Sequence, residues 1–231
     1  MAQQTVPFDS PFYPFQKVLS GANTLRGAEQ IPYKILRYLL DLPDANGYAP
    51  ADDNSRPRVR LAKYLWHDQP RPLDLALPTP EQKLSMLFDP DRPDINTDED
   101  KEAHPRGYRL FAQRNIGQSI LEAKTLLKIY VGRVLDANDF RTVIGLQAEI
   151  WSNVNLVANT RTTALDRSFD IEQCLREALA GVDIAGVGTI RFSRQESSYN
   201  GSEVLYTDEG FVGRIVYFST SWSEGGGGTV R

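Results

Sequence analysis

The sequence predicts an α+β fold. An antiparallel sheet packed with one long helix fills residues 106–231, preceded by a proline-rich, mainly short-helical part in residues 1–105. Three observations carry this reading. All 14 prolines fall in the first 105 residues, with helix-like apolar spacing recurring between them. After Gly107 the pattern changes to alternation of apolar and polar residues, the period of a half-buried strand. Between the alternating runs lies one stretch whose apolar residues recur three and four apart, which is the period of a helix.

The chain opens on an extended arm. Over residues 7–15 the order Pro-Phe-Asp-Ser-Pro-Phe-Tyr-Pro-Phe repeatedly fixes φ and removes backbone donors, disfavouring both helix and central strand. Phe8, Phe12, Tyr13 and Phe15 are costly to leave in water and are the candidate partner contacts, docking on the chain's own body or on a neighbour. Three short helices follow. Pro32 precedes Ile35, Leu36, Leu39 and Leu40; Pro57 precedes Val59, Ala62, Leu65 and Trp66. Thr79-Pro80-Glu81-Gln82 reads as an N-cap, a proline at the first helical position and a capping-box glutamine. Residues 89–105, with Pro90, Pro93 and the run Asp98-Glu99-Asp100, read as an exposed loop or hinge.

In the second part, residues 108–114 are the first expected strand and 125–135 the second, with Leu127, Ile129 and Val131 on one side. Residues 140–153 form the third, with Ile144, Leu146, Ala148 and Ile150 alternating against Gly145, Gln147 and Glu149. Thr162 or Thr163 would cap a helix reaching Ala180, where Ile171, Cys174, Leu175, Ala178 and Leu179 share a face and Gly181 suits the left-handed exit. Strands are expected over 184–194, 203–207 and 211–222, with a glycine-rich tail at 225–228. The division into 1–105 and 106–231 predicts that deleting the first part spares the sheet. A sheet with one helix keeps a second face and two edges, which suit assembly.

Composition narrows the function classes. The net charge is −4, and the first 105 residues hold 12 Lys/Arg against 16 Asp/Glu, the remainder 14 against 14. Neither part has the basic excess of a free nucleic-acid binder. Cys174 is the only cysteine, so no disulfide can form within one chain, which fits assembly in a reducing cytoplasm. The N-terminal segment lacks the pattern of a signal peptide, and no apolar run approaches the ~20 residues needed to cross a bilayer, so no membrane association is expected.

No catalytic, cofactor-binding or metal-binding residues emerge. His67 and His104 lack partners at metal-ligand spacing, and the 98–100 acidic run lacks the glycine of a calcium loop. Gly186-Val187-Gly188 is not followed by Gly-Lys-Ser/Thr and reads as a bulge or close backbone approach rather than a phosphate loop. The serines of 193–202 have no nucleophile-elbow glycines and read as a long hairpin loop. Arg133, Arg141, Arg161, Arg167, Arg191, Arg194 and Arg214 are expected to pair with carboxylates across subunit contacts rather than to line a groove for nucleic acid.

Several patterns together resemble the small α+β connector proteins of tailed bacteriophages, particularly tail terminator (tail-completion) proteins. They are the strand from Phe140-Arg141-Thr142-Val143-Ile144 to Ile150-Trp151, the helix around Ile171-Glu172-Gln173-Cys174-Leu175, Gly186-Val187-Gly188, and the closing Gly213-Arg214-Ile215-Val216-Tyr217-Phe218. The resemblance covers about half the chain. It implies a non-enzymatic virion protein forming a homo-oligomeric, hexameric ring at the neck, contacting the tail tube and head-completion or portal proteins, with DNA passing through without sequence-specific binding. A head-completion stopper or other virion adaptor is the alternative within this class. A carboxylate-based nuclease or hydrolase is the alternative outside it.

Overall fold

The computed structural model describes residues 28–43, 51–69, 71–91, 98–114, 124–138, 141–157, 166–194, 197–206 and 210–222. Helix α1 (Ile31–Leu39) carries proline in its first turn, where a missing N–H costs no helical bond, and buries Ile31, Ile35, Leu36 and Leu39. Helix α2 (Pro57–Trp66) also starts on its proline. Helix α3 (Pro80–Ser85) closes the expected capping box: the Thr79 hydroxyl accepts from the Gln82 amide, and the Gln82 side chain accepts from the Thr79 amide.

The acidic run departs from the expected loop. Asp98–Ala103 is a helix, α4, with no buried residue, and its three acidic side chains occupy the first turn, where the helix dipole favours negative charge. A single turn, α5 (Val154–Val157), follows the third strand. Helix α6 (Arg167–Leu179) starts later than expected because Asp166, not Thr162 or Thr163, is its cap; the Asp166 carboxylate accepts from the Phe169 amide at 2.8 Å. Gly181 takes the left-handed exit at φ 74°.

Seven strands form the sheet: β1 (Leu110–Phe111), β2 (Thr125–Asn138), β3 (Arg141–Asn153), β4 (Asp183–Ile184), β5 (Gly188–Arg191), β6 (Gly201–Tyr206) and β7 (Phe211–Trp222). Their order is β1-β2-β3-β7-β5-β4, with β6 also on β7, and every pair is antiparallel except β1 on β2. The expected strand over 108–114 shrinks to two residues. On its other side Leu110 bonds the Met86 carbonyl at 2.9 Å and accepts from the Phe88 amide at 2.8 Å, which ties this segment to the chain after α3.

The expected strand over 184–194 is broken into a hairpin. Gly186 and Gly188 adopt φ of 70° and 88°, so β4 folds back on β5. A side chain at Gly188 would meet the Ser221 carbonyl oxygen at 2.8 Å, so the Gly-Val-Gly segment is a close backbone approach. Strands β5 and β6 lie along the same edge of β7. Arg191 pairs with Ser219, and pairing resumes at Gly201 with Tyr217, so residues 192–194 and 197–200 are an excursion from one edge line.

The helix layer corrects the expectation of a single long helix. Leu127 and Ile129 of β2, Ile144, Leu146, Ala148 and Ile150 of β3, and Val216 and Phe218 of β7 form the inner face. They share one core with Ile35, Leu36 and Leu39 of α1, Leu61 and Leu65 of α2, and Ile171, Cys174, Leu175, Ala178 and Leu179 of α6. Three helices therefore cover the sheet, and α6 is only 13 residues long. The division at residue 105 marks a change in composition, but the core crosses it, because one 13-residue helix cannot cover the inner face of strands as long as β2 and β3.

Candidate functional site

The arm residues Phe8, Phe12, Tyr13 and Phe15 lie outside the described residues. The two histidines are placed apart and are used locally. His67 Nε2 lies 2.9 Å from the Ala76 carbonyl oxygen, and His104 Nδ1 lies 2.8 Å from that of Ser85 while its ring packs on Tyr108 at 4.9 Å. Among the described residues no group of three or more His, Cys, Asp or Glu side chains is placed to hold a metal ion, and no helix is long and apolar enough to cross a membrane. Cys174 is buried, and burial first of all pushes its thiol up to about 11, so it stays protonated at neutral pH.

His67 gives the fold a pH dependence. Burial lowers its pKa, helped by the nearby cations Arg106, Lys63 and Arg167, while the Ala76 carbonyl works in the other direction. The unfolded chain then takes up a proton near the ordinary value of about 6.5 before the folded chain does, so stability falls as pH drops through that region. The midpoint of urea unfolding is expected to be lower at pH 5.5 than at pH 7.5. His67→Gln, which keeps a donor for Ala76, should reduce that difference; an equal drop in the variant would show that His67 is not its source.

Three of the seven arginines expected at subunit contacts, Arg167, Arg194 and Arg214, bond to groups inside the protomer. Arg214 binds the Glu172 carboxylate, which also takes Arg176 at 2.8 Å. Burial alone would raise the pKa of Glu172, but hydrogen bonds from Arg214, Arg176 and Ser202 outweigh it and lower the pKa. Arg167 is 1% exposed and donates to the carbonyls of Tyr64, at 3.1 Å, and His67. Beside it Arg109, also 1% exposed, grips Asp68 with both guanidinium nitrogens at 2.6 and 2.5 Å and donates to the Leu65 carbonyl at 3.0 Å. Two arginines from beyond residue 105 thus satisfy the last carbonyls of α2, where the helix has no donors of its own. The side chains of Arg141 and Arg161 are outside the described set. Arg194 Nε bonds the Asn200 carbonyl at 3.0 Å, whereas Arg133 is exposed with no ion pair among the described residues.

The sheet face away from the helices is polar and aromatic. Glu149, 9% exposed, accepts from the Tyr130 hydroxyl and from Trp151 Nε1 at 3.1 Å, and pairs with Lys128 Nζ at 3.3 Å; Lys128 lies 4.6 Å over the Trp151 ring. Tyr199 of the excursion lies over this face. Asn200 holds the base of the excursion by donating to the carbonyls of Arg191 and Ser193 at 3.1 and 3.0 Å, and Tyr199 packs edge-on against Tyr217 at 5.3 Å. Gly145 makes room for the excursion, since a Cβ there would lie 2.9 Å from the Tyr199 ring; Gly132 leaves space for the Tyr199 hydroxyl.

A cleft of about 540 Å³ runs along the exposed side of α1, lined by Glu29, Tyr33, Lys34 and Arg37 and closed by Phe88 and Ala112. Phe88 is backed by Tyr108 and Phe111 at 5.2 and 5.4 Å. Lys34 is fixed across one end by donating to the Gly186 carbonyl at 3.3 Å. The sheet edges are the other open surface. Among the described residues β6 pairs only with β7, and β2 beyond Lys128 pairs only with β3. Val134 on β2 is 38% exposed and Val204 on β6 is 49% exposed. Alternation locates these strands in the sequence, but nothing in the alternation says which strands are terminal, and the cleft brings together residues separated by up to 84 positions. No family model and no curated protein matches the chain.

Proposed function

We propose that the chain is a non-enzymatic structural protein of a tailed-bacteriophage virion. It assembles as a six-membered ring at the neck and joins or terminates the tail tube at the head–tail interface. One observation carries the assembly reading: β2 beyond Lys128 on one side of the sheet, and β6 on the other, have no further strand beside them among the described residues. Such edges invite another strand, and a head-to-tail contact repeated around an axis closes a ring. The resemblance of the strand and helix succession to tail terminator proteins supports the location. The polar sheet face around Glu149 suits a lumen through which DNA passes without base recognition.

The test has two parts. Light scattering of the purified chain should give a mass about six times 26.0 kDa, alone or after addition of tail tubes. Particle proteomics and density should place the chain at the neck. A chain that stays monomeric under both conditions and is absent from particles overturns the proposal.

A further inference from the structure

We infer that the ring is held by sheet continuation, with β6 of one copy pairing antiparallel with the outer edge of β2 of the next, at residues 129–138. This rests on the ring reading and names its contact. Strand direction is the first reason. β2 is antiparallel to β3, β3 to β7 and β7 to β6, so β2 and β6 run in opposite directions. Two copies placed side by side in the same orientation therefore meet through an antiparallel pair, and each keeps its helices on the same side.

The side chains on the two edges are complementary on both faces. Val134 pairs with Ile144 and Val204 with Arg214, which is opposite Ile150; Ile144 and Ile150 point into the core, so both exposed valines lie on the helix side. Arg133 is opposite Gly145, and Glu203 is opposite Ile215, which is opposite Glu149; both therefore lie on the other face. Arg133 and Glu203 are exposed, and neither has an ion pair among the described residues, although Glu203 accepts from the Tyr217 hydroxyl. Joining the edges with Val204 opposite Val134 sets valine beside valine and places Glu203 diagonally across from Arg133 on the other face, within reach of long side chains; both are favourable cross-strand neighbours.

The offset also fits a closed ring. Through the pairs Val204 to Arg214, Arg214 to Ile150 and Ile150 to Leu127, Val204 lies level with Leu127. Bringing it beside Val134 shifts the neighbour by about six residues, roughly 20 Å, once the bulge near Gly132 is discounted. Spread over the four strands β2, β3, β7 and β6, that shift tilts the strands by about 45° to the ring axis, the tilt at which sheets close. The lower part of the β2 edge is already taken by β1, at Leu127 and Lys128, so only the staggered join is open.

The experiment uses the full chain with charge reversal and a cross-link. Arg133→Glu and Glu203→Arg should each weaken association about tenfold by light scattering across a dilution series, and the double reversal should restore it to within a few-fold. The Val134→Cys/Val204→Cys variant, oxidised, should give a ladder of covalent multimers on non-reducing gels, since the buried Cys174 thiol does not compete. Circular dichroism of each variant checks that the fold is kept. A wild-type chain that never associates overturns the ring reading and the contact with it. A ring that forms normally in both single reversals and gives no ladder overturns the contact alone and leaves the ring standing.

Discussion

Replacing Arg109 with methionine is expected to lower the stability of the chain by about 3–5 kcal/mol. The guanidinium is fully buried, holds Asp68 through two hydrogen bonds, and donates to the Leu65 carbonyl at the end of α2. Methionine fills similar volume, so the cost comes from what is left behind: a carboxylate with only 18% of its side chain exposed, and a buried helix-end carbonyl without a donor. Lysine keeps the charge but cannot make the two-pronged contact, so Arg109→Lys should cost less than Arg109→Met yet remain clearly destabilising. Adding Asp68→Asn to Arg109→Met should recover part of the loss, because the uncompensated carboxylate is then gone. Urea titrations followed by fluorescence of Trp66 and Trp151 provide the measurement. A loss of under about 1 kcal/mol for Arg109→Met would mean that water or Arg167 takes over both partners.

Much of the fold was legible because local chemistry decided it. Pro32, Pro57 and Pro80 each begin a helix, and the Thr79 to Gln82 box forms as its spacing requires. The alternation from Ile144 to Ile150 places one face of β3 in the core, and Phe211–Trp222 is a strand throughout. What escaped depends on distant partners. Nothing around Arg109 or Arg167 marks them as core residues, because their burial follows from carbonyls on α2 and the Asp68 carboxylate just after it, 41 to 103 positions away. The shortness of β1 follows from bonds to Met86 and Phe88, and the helix over 98–103 from a first-turn charge effect that also fits a solvated loop. Of the candidate surfaces, the two sheet edges were expected in kind. Their identity as β2 and β6, and the faces on which Arg133, Val134, Glu203 and Val204 lie, required the strand order and register.

Deleting residues 1–105 is expected to prevent the remaining chain from folding, the reverse of what proline placement alone predicts. The inner sheet face would lose its cover from Ile31, Ile35, Leu36 and Leu39 on α1 and from Leu61, Tyr64 and Leu65 on α2. Each such side chain contributes about 1.5–3 kcal/mol when buried, so the sum, roughly 10–20 kcal/mol, is as large as the roughly 5–15 kcal/mol by which domains of this size are stable. The same cut removes Asp68 and the carbonyls of Tyr64, Leu65 and His67, leaving Arg167 without the two carbonyls it donates to and Arg109 with only the Arg106 carbonyl. Helix α6 cannot compensate, since it already packs against α2 on one side and the sheet on the other. The 106–231 fragment should therefore bind a hydrophobic dye, lack near-ultraviolet circular dichroism and unfold without a cooperative transition. Coexpressing residues 1–105 as a separate chain should restore cooperativity if covering the face is what the fragment lacks. A fragment that is soluble, cooperative and still able to associate would show that the sheet carries its own core, and that the N-terminal helices serve only contacts with other proteins.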